Sequence, residues 1–272
     1  MTFDEYLAIP GVHWTNLKEM RKSPLHYDFR VHNPAEDSTI FARGRSAHTA
    51  VLEPDRFLLD YAIFTGKVRR GAEWDKCCAA NKGKTILKPD EYGIALSIRD
   101  AIREHPVAGP LLADQGRSEF AITWKDEATG LAMKGRLDRL TDSGKLVELK
   151  TTFDVEARRF GHTAARMGYH IQAALYRRGI RAALGVDPVV KIVAVTATEP
   201  HEVAVYGLDE DTLWAGEEEA DDLLAKVAAG NFSGRWEGRY QEEQTLALPA
   251  WAFNEEQEVD GLGLTFGAEE AS

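Results

Sequence analysis

Residues 131–152, LAMKGRLDRLTDSGKLVELKTT, constrain the fold of this chain more than any other stretch. Apolar and polar residues alternate on both sides of Asp142-Ser143-Gly144, and the tripeptide puts a glycine where a tight turn needs left-handed backbone. Two strands joined this way, Leu131–Thr141 and Lys145–Thr152, fold back as an antiparallel hairpin. With Thr141 against Lys145 at the loop, Asp138 falls opposite Glu148, their β-carbons about 4.5–5.5 Å apart. A bulge at the turn would slip that register by one residue. Lys150 follows Glu148 by two positions, so strand alternation puts it on the same face.

Two carboxylates held that close raise each other's pKa unless a cation sits with them. Asp138 and Glu148 are hard oxygen ligands suited to Mg²⁺ or Mn²⁺. Lys150 is placed to orient or deprotonate a metal-bound water, or to neutralise a phosphate. The same triplet also fits a cross-strand salt bridge on a solvated face.

The rest of the chain reads as a mixed α/β protein. Helical patterns cover Trp14–Met20, Thr39–Leu52, Ala72–Asn81 and Pro89–Glu104. Strands are expected at Ser118–Trp124, in the hairpin, at Val189–Thr196 and at Glu202–Leu208, with helices over His162–Leu184 and from Asp209 to about Ala229. Strands first paired and then crossed by a helix imply a central mixed sheet flanked by helices. The expected division is one domain over residues 1–230, with N-terminal helices over 1–113 and the core over 114–230. An acidic tail over 231–272 follows.

Composition narrows the function classes. No stretch approaches the ~20 apolar residues of a membrane span, and the start lacks the features of a secretory signal, so the cytoplasm is the expected compartment. Cys77 and Cys78 are the only cysteines; being adjacent, they cannot form an ordinary disulfide, and two cannot supply a four-cysteine metal site. The net charge of −11 is uneven: residues 199–272 hold 19 acidic and 3 basic side chains, a net of −16, whereas residues 1–198 hold 25 and 30, a net of +5. Arg45, Arg136, Arg159, Arg166 and Arg177 fall near the hairpin and its following helix, where a phosphate backbone could be tracked without base reading.

Motif order sharpens the reading. GRLD before the turn, ELK after it, and Gln172-x-x-x-Tyr176 on the next helix resemble the GxxD, (D/E)xK and QxxxY motifs of the RecB-like branch of PD-(D/E)XK nucleases, with His48 upstream. Together with HWTNLKEMRKSPLHYDF, FARGRSAHTAVLEPDRF and GYHIQAALYRRGI, they resemble the nuclease domain of RecE-type exonucleases over roughly residues 10–200. Glu148 stands where such sequences more often carry Asp. Helical spacing puts His48 on one stripe with Val51 and Leu52, pointing inward, where a histidine can equally be a core residue; the resemblance implies that it is a metal ligand. Glu119, at the start of its strand, is by the same resemblance a further residue of the metal site. Gln172 and Tyr176 are one helical turn apart, and the resemblance makes them active-site lining.

That family implies 5′-to-3′ exonuclease action on double-stranded DNA ends, yielding 3′ single-stranded tails for a RecT-type annealing protein. It also implies a ring-like homo-oligomer, a tetramer, in a phage or prophage recombination system within a bacterial cell. Another PD-(D/E)XK nuclease, either an endonuclease or a repair enzyme, and a catalytically silent DNA-binding domain remain as alternatives.

Overall fold

A computed structural model describes residues 3–34, 39–249 and 252. The chain divides into two compact units, Met1–Glu237 and Gly238–Ser272. The first opens with α1 (Phe3–Ala8), α2 (Trp14–Leu17), a 3₁₀ turn (Lys18–Arg21), α3 (Pro24–His32), α4 (Thr39–Leu52) and α5 (Pro54–Asp60). Next come β1 (Tyr61–Ile63), α6 (Ala72–Ala80), β2 (Thr85–Leu87), α7 (Pro89–Glu104) and α8 (Ala108–Ala113). The core then runs β3 (Gly116–Lys125), β4 (Ala132–Thr141), β5 (Lys145–Thr152), α9 (Ala157–Met167), α10 (Tyr169–Leu184), β6 (Val189–Thr196), β7 (Val203–Gly207) and α11 (Glu210–Ser233).

The main sheet has the order β3-β4-β5-β6-β7. β5 and β6 pair in parallel and the other neighbours are antiparallel, so the sheet is mixed as expected. A parallel second strand requires a crossover, and α9 with α10 provides it. β1 and β2 form a separate two-stranded parallel sheet that periodicity did not reveal, because three-residue strands carry too little pattern.

Period-2 alternation sends the two faces of β5 to different helices. Val147 and Leu149 pack with Ala47 and Leu52 of α4 and with Ile98 and Ile102 of α7. Leu146 packs with Ala173, Tyr176 and Ile180 of α10. Burying each valine, leucine and isoleucine among these contributes roughly 1.5–3 kcal/mol.

Two boundaries differ from expectation. The helical pattern of His162–Leu184 is two helices, broken at Gly168, whose φ of 69° is left-handed. A Cβ there would lie 2.6 Å from the Trp14 ring, so the glycine permits both the turn and the close packing. The first compact unit also continues past residue 230: Trp236 packs on Tyr27, with ring centroids 5.5 Å apart, and Glu237 accepts a hydrogen bond from Leu25 N–H. Within the proposed tail, residues 250–251 and 253–272 lie outside the described residues. Among the described residues, no helix is long and apolar enough to cross a membrane.

α11 carries much of the acidic character of the C-terminal third and sets part of it against arginines of the 3₁₀ turn and α10. Arg177 pairs with Glu210, Arg178 with Asp221, Arg181 with Glu217 and Arg21 with Glu219. Four of the nineteen acidic side chains of residues 199–272 are thereby paired with arginines within the fold.

Candidate metal centre

The hairpin closes in the register expected without a bulge: Leu140 pairs with Leu146 and Arg139 with Val147. Continuing it by one residue sets Asp138 against Glu148, and there the main-chain ladder ends. The Leu149 N–H donates instead to Asp138 Oδ2 at 2.7 Å. Leu137 and Leu140 both belong to the core under α10 although three positions apart. Strict alternation would put them on opposite faces, so β4 twists between them and Asp138 lies in the twist.

β3 breaks at the matching position. Ser118 pairs with Arg139 and Phe120 with Leu137, which sets Glu119 against Asp138, yet that pair is missing from the ladder and Glu119 has φ 49°. A left-handed glutamate in a strand is strained, and such strain concentrates at functional sites. Three acids on three neighbouring strands, Glu119, Asp138 and Glu148, thus line up across the sheet.

His48 reaches this row from α4. Its Nδ1 is 3.8 Å from Asp138 Oδ1, and its ring hydrogen-bonds the Leu149 main chain. Leu149 therefore positions both side chains, donating to one and bonding the other. Ligand atoms of His48, Glu119 and Asp138 all lie within 4.8 Å of one another. Glu148 lies outside that trio. It is 1% exposed, its Oε2 accepts from Lys150 Nζ at 3.0 Å, and its Oε1 is buried with no hydrogen-bond partner among the described residues. A buried carboxylate oxygen without a donor is costly.

The electrostatics express the crowding. Burial, then Asp138, pushes the Glu119 carboxyl up to about 8 against the pull of Arg136. Burial, then Asp138, likewise pushes Glu148 up to about 7 against Lys150. Burial holds His48 below the ordinary imidazole range, outweighing Asp138, so the ring is neutral and able to donate a lone pair. Burial pulls on Lys150 too, but Glu148 and Asp138 overcome it and keep the ammonium charged. Hard carboxylate oxygens, a neutral imidazole and an orphaned buried oxygen fit a divalent cation.

α10 backs the site from the other face. Tyr176 is buried and hydrogen-bonded to Gln172, and burial, then Glu148, keeps its phenol protonated. A Cβ at Gly135 would sit 2.9 Å from the Tyr176 ring, so the glycine of GRLD and the tyrosine of the helix are two halves of one contact.

The arginines expected to track DNA separate into different roles. Arg136 lies inside the site, its Nε 2.9 Å from Glu119 Oε2, where it holds that carboxylate. Arg45 is exposed on α4 one turn before His48. Arg159 and Arg166 are exposed on α9, the former paired with Asp154 at 2.7 Å. Arg177 is removed from the DNA-binding set. It is 8% exposed and its guanidinium is committed to Asp187 and Glu210, at 2.7 and 2.8 Å, because α11 closes over it.

Sequence reasoning missed Glu53, which adds its charge beside Glu119 and stands 4.0 Å from Arg136, and Tyr169, whose ring centroid is 5.2 Å from Lys150 Nζ. Neither sits in a pattern that marks it; Glu53 is merely the residue before a helix-starting proline.

Residues 14–238 match a family described as a PDDEXK-like domain of unknown function (DUF3799). No curated protein matches the chain. A solved structure from Eubacterium rectale, described as a candidate exonuclease, aligns with a TM-score of 0.63 at 14% identity, covering 92% of this chain and 95% of the other. The structure of SSO0001 aligns with a TM-score of 0.35 at 14% identity, covering 81% of each chain.

Proposed function

The chain belongs to the PDDEXK-like DUF3799 family, and from there we propose that it is a divalent-metal-dependent exonuclease acting on double-stranded DNA ends. The observation that carries the reading is the row Glu119, Asp138 and Glu148 beside His48 and Lys150, an arrangement whose carboxylate repulsion a bound cation relieves. His48, Glu119 and Asp138 would hold the ion, and Glu148, whose Oε1 is buried without a hydrogen-bond partner among the described residues, adds its charge beside Asp138. The imidazole leans the set toward Mn²⁺, while Mg²⁺ remains compatible with its oxygens. When bound, such an ion lowers the pKa of a coordinated water and offsets phosphate charge.

The chain's own groups do the rest. Lys150, held charged by Glu148, donates to the attacking water or to a phosphate oxygen; a lysine kept protonated is a poor general base, which leaves orientation and charge neutralisation as its role. Arg136 restrains Glu119, and the Gln172–Tyr176 pair keeps the helix packed under Gly135 so that β4 holds its twist.

The resemblance of the motif set to RecE-type nucleases supports the finer reading. It comprises 5′-to-3′ resection, 3′ tails passed to a RecT-type annealing protein, a tetrameric ring giving processivity, and a place in phage or prophage recombination in the bacterial cytoplasm. End-labelled linear duplex and closed circular duplex incubated with Mg²⁺, Mn²⁺ or EDTA test it. Mononucleotide release from linear DNA alone, lost in EDTA, is the expected result; cutting of the circle would make the protein an endonuclease.

A further inference from the structure

Phe153 carries chemistry that the metal centre does not use. It is the first residue after β5, three positions beyond Lys150, and its ring is 94% exposed. One other aromatic side chain among the described residues is as exposed, Phe232, and it lies on acidic α11. Phe153 has the opposite surroundings. α9 begins four residues later, and Arg158, His162 and Arg166 recur at every fourth position, forming one exposed stripe away from buried Phe160.

The acids nearby are already engaged. Glu156 accepts from the N–H groups of Arg158 and Arg159 as the helix cap, and Asp154 pairs with Arg159. The side chains of Arg158, His162 and Arg166 have no acidic partner among the described residues. Arg21 Nη1 donates to the Arg166 carbonyl at 2.9 Å, tying the far end of the stripe to the 3₁₀ turn that carries Lys18.

We propose that Phe153 and the basic stripe of α9 form a binding surface for a nucleic-acid strand at the mouth of the metal centre, the ring stacking on a nucleobase while the cations follow phosphates. The strand is the favoured occupant because an aromatic platform beside unpaired cations is complementary to a base on a polyanionic backbone. Arg158 to Arg166 spans about 12 Å of helix, the rise of three to four stacked nucleotides. Phe153 lies about 10 Å of extended chain beyond Lys150, so the stacked base is roughly three steps from the cleavage position. The inference deepens the nuclease reading and rests on it for the substrate.

Equilibrium binding of the full chain in EDTA, to a duplex with a short single-stranded end carrying 2-aminopurine, tests this. Phe153→Ala is expected to weaken binding about tenfold, within the range of one lost base stack, at an unchanged salt slope. Phe153→Trp is expected to restore affinity. Arg158→Gln and Arg166→Gln are each expected to lower the salt slope by about one. Failure of the wild-type chain to bind, or wild-type affinity in Phe153→Ala, overturns the inference. So does a changed solution mass with affinity intact, which would make the ring a contact between copies of the chain. Binding that depends on Phe153 without hydrolysis in Mn²⁺ sinks the nuclease reading alone, and hydrolysis with no effect of Phe153 sinks this inference alone.

Discussion

Glu119 stands directly across the β3–β4 register from Asp138, yet the two residues are the one gap in that ladder, and Glu119 takes left-handed backbone to be there. A glycine would adopt that conformation at no steric cost. The glutamate instead sets its carboxylate beside Asp138, where without a cation it is held partly protonated.

That proximity makes metal-free stability depend on pH. Glu119 and Glu148 have folded-state values raised from 4.5 to about 8 and about 7, so from pH 4.5 upward the unfolded chain gives up those protons first. Their stabilising contribution is complete below pH 4.5 and is lost as pH rises through 7 to 8. In EDTA, Tm is therefore expected to fall over that window, and the gain in Tm from Mn²⁺ to grow. Glu119→Gln should flatten part of the EDTA slope. A Mn²⁺ gain independent of pH would contradict the linkage.

Asp138→Asn and Glu148→Gln are expected to reduce hydrolysis by more than about a hundredfold, since losing a ligand or its neighbour in the charge row costs several kcal/mol at the transition state. Both variants should fold, because each relieves repulsion among buried carboxyls. A residual rate above one hundredth of wild type would mean that the metal is held elsewhere.

Lys150→Met separates assembly from chemistry. Turnover is expected to vanish while Mn²⁺ binding persists or tightens, since a positive charge beside the site is gone. Without metal the variant should be less stable by about 3 kcal/mol, because Glu148 loses its buried partner. Retained turnover would reduce Lys150 to a structural ion pair.

Arg177 and Arg166 give a paired comparison. Arg177→Ala is expected to cost about 1–2 kcal/mol in urea unfolding, discounted because Asp187 and Glu210 are themselves solvated, with unchanged affinity for duplex DNA. Arg166→Ala should leave stability alone and weaken binding. The reverse pattern would return Arg177 to the DNA surface.

Truncation distinguishes the two candidate boundaries. A chain ending at Glu237 is expected to keep the wild-type unfolding midpoint. One ending at Gly230 should lose about 2–3 kcal/mol with Trp236, whose ring covers Tyr27. Equal midpoints would put the boundary at residue 230.

The hairpin was legible because its determinants are local. A turn with glycine at its third position and a two-residue period fix which side chains face each other, so Asp138, Glu148 and Lys150 could be assigned to one face from eleven to thirteen residues of chain. The division of α9 from α10 at Gly168 was open to the same reasoning but hidden by continuous helical periodicity across it. The other features depend on groups distant in sequence. Glu119 enters the site through a backbone flip that no propensity favours, and Arg136 turns inward to it. Arg177 looks like a surface cation until α11, thirty-three residues on, brings Glu210 against it. Local geometry sets register and face within a few residues, but whether a charge meets solvent, a ligand or an opposite charge is settled by what packs over it, and that is a property of the assembled core.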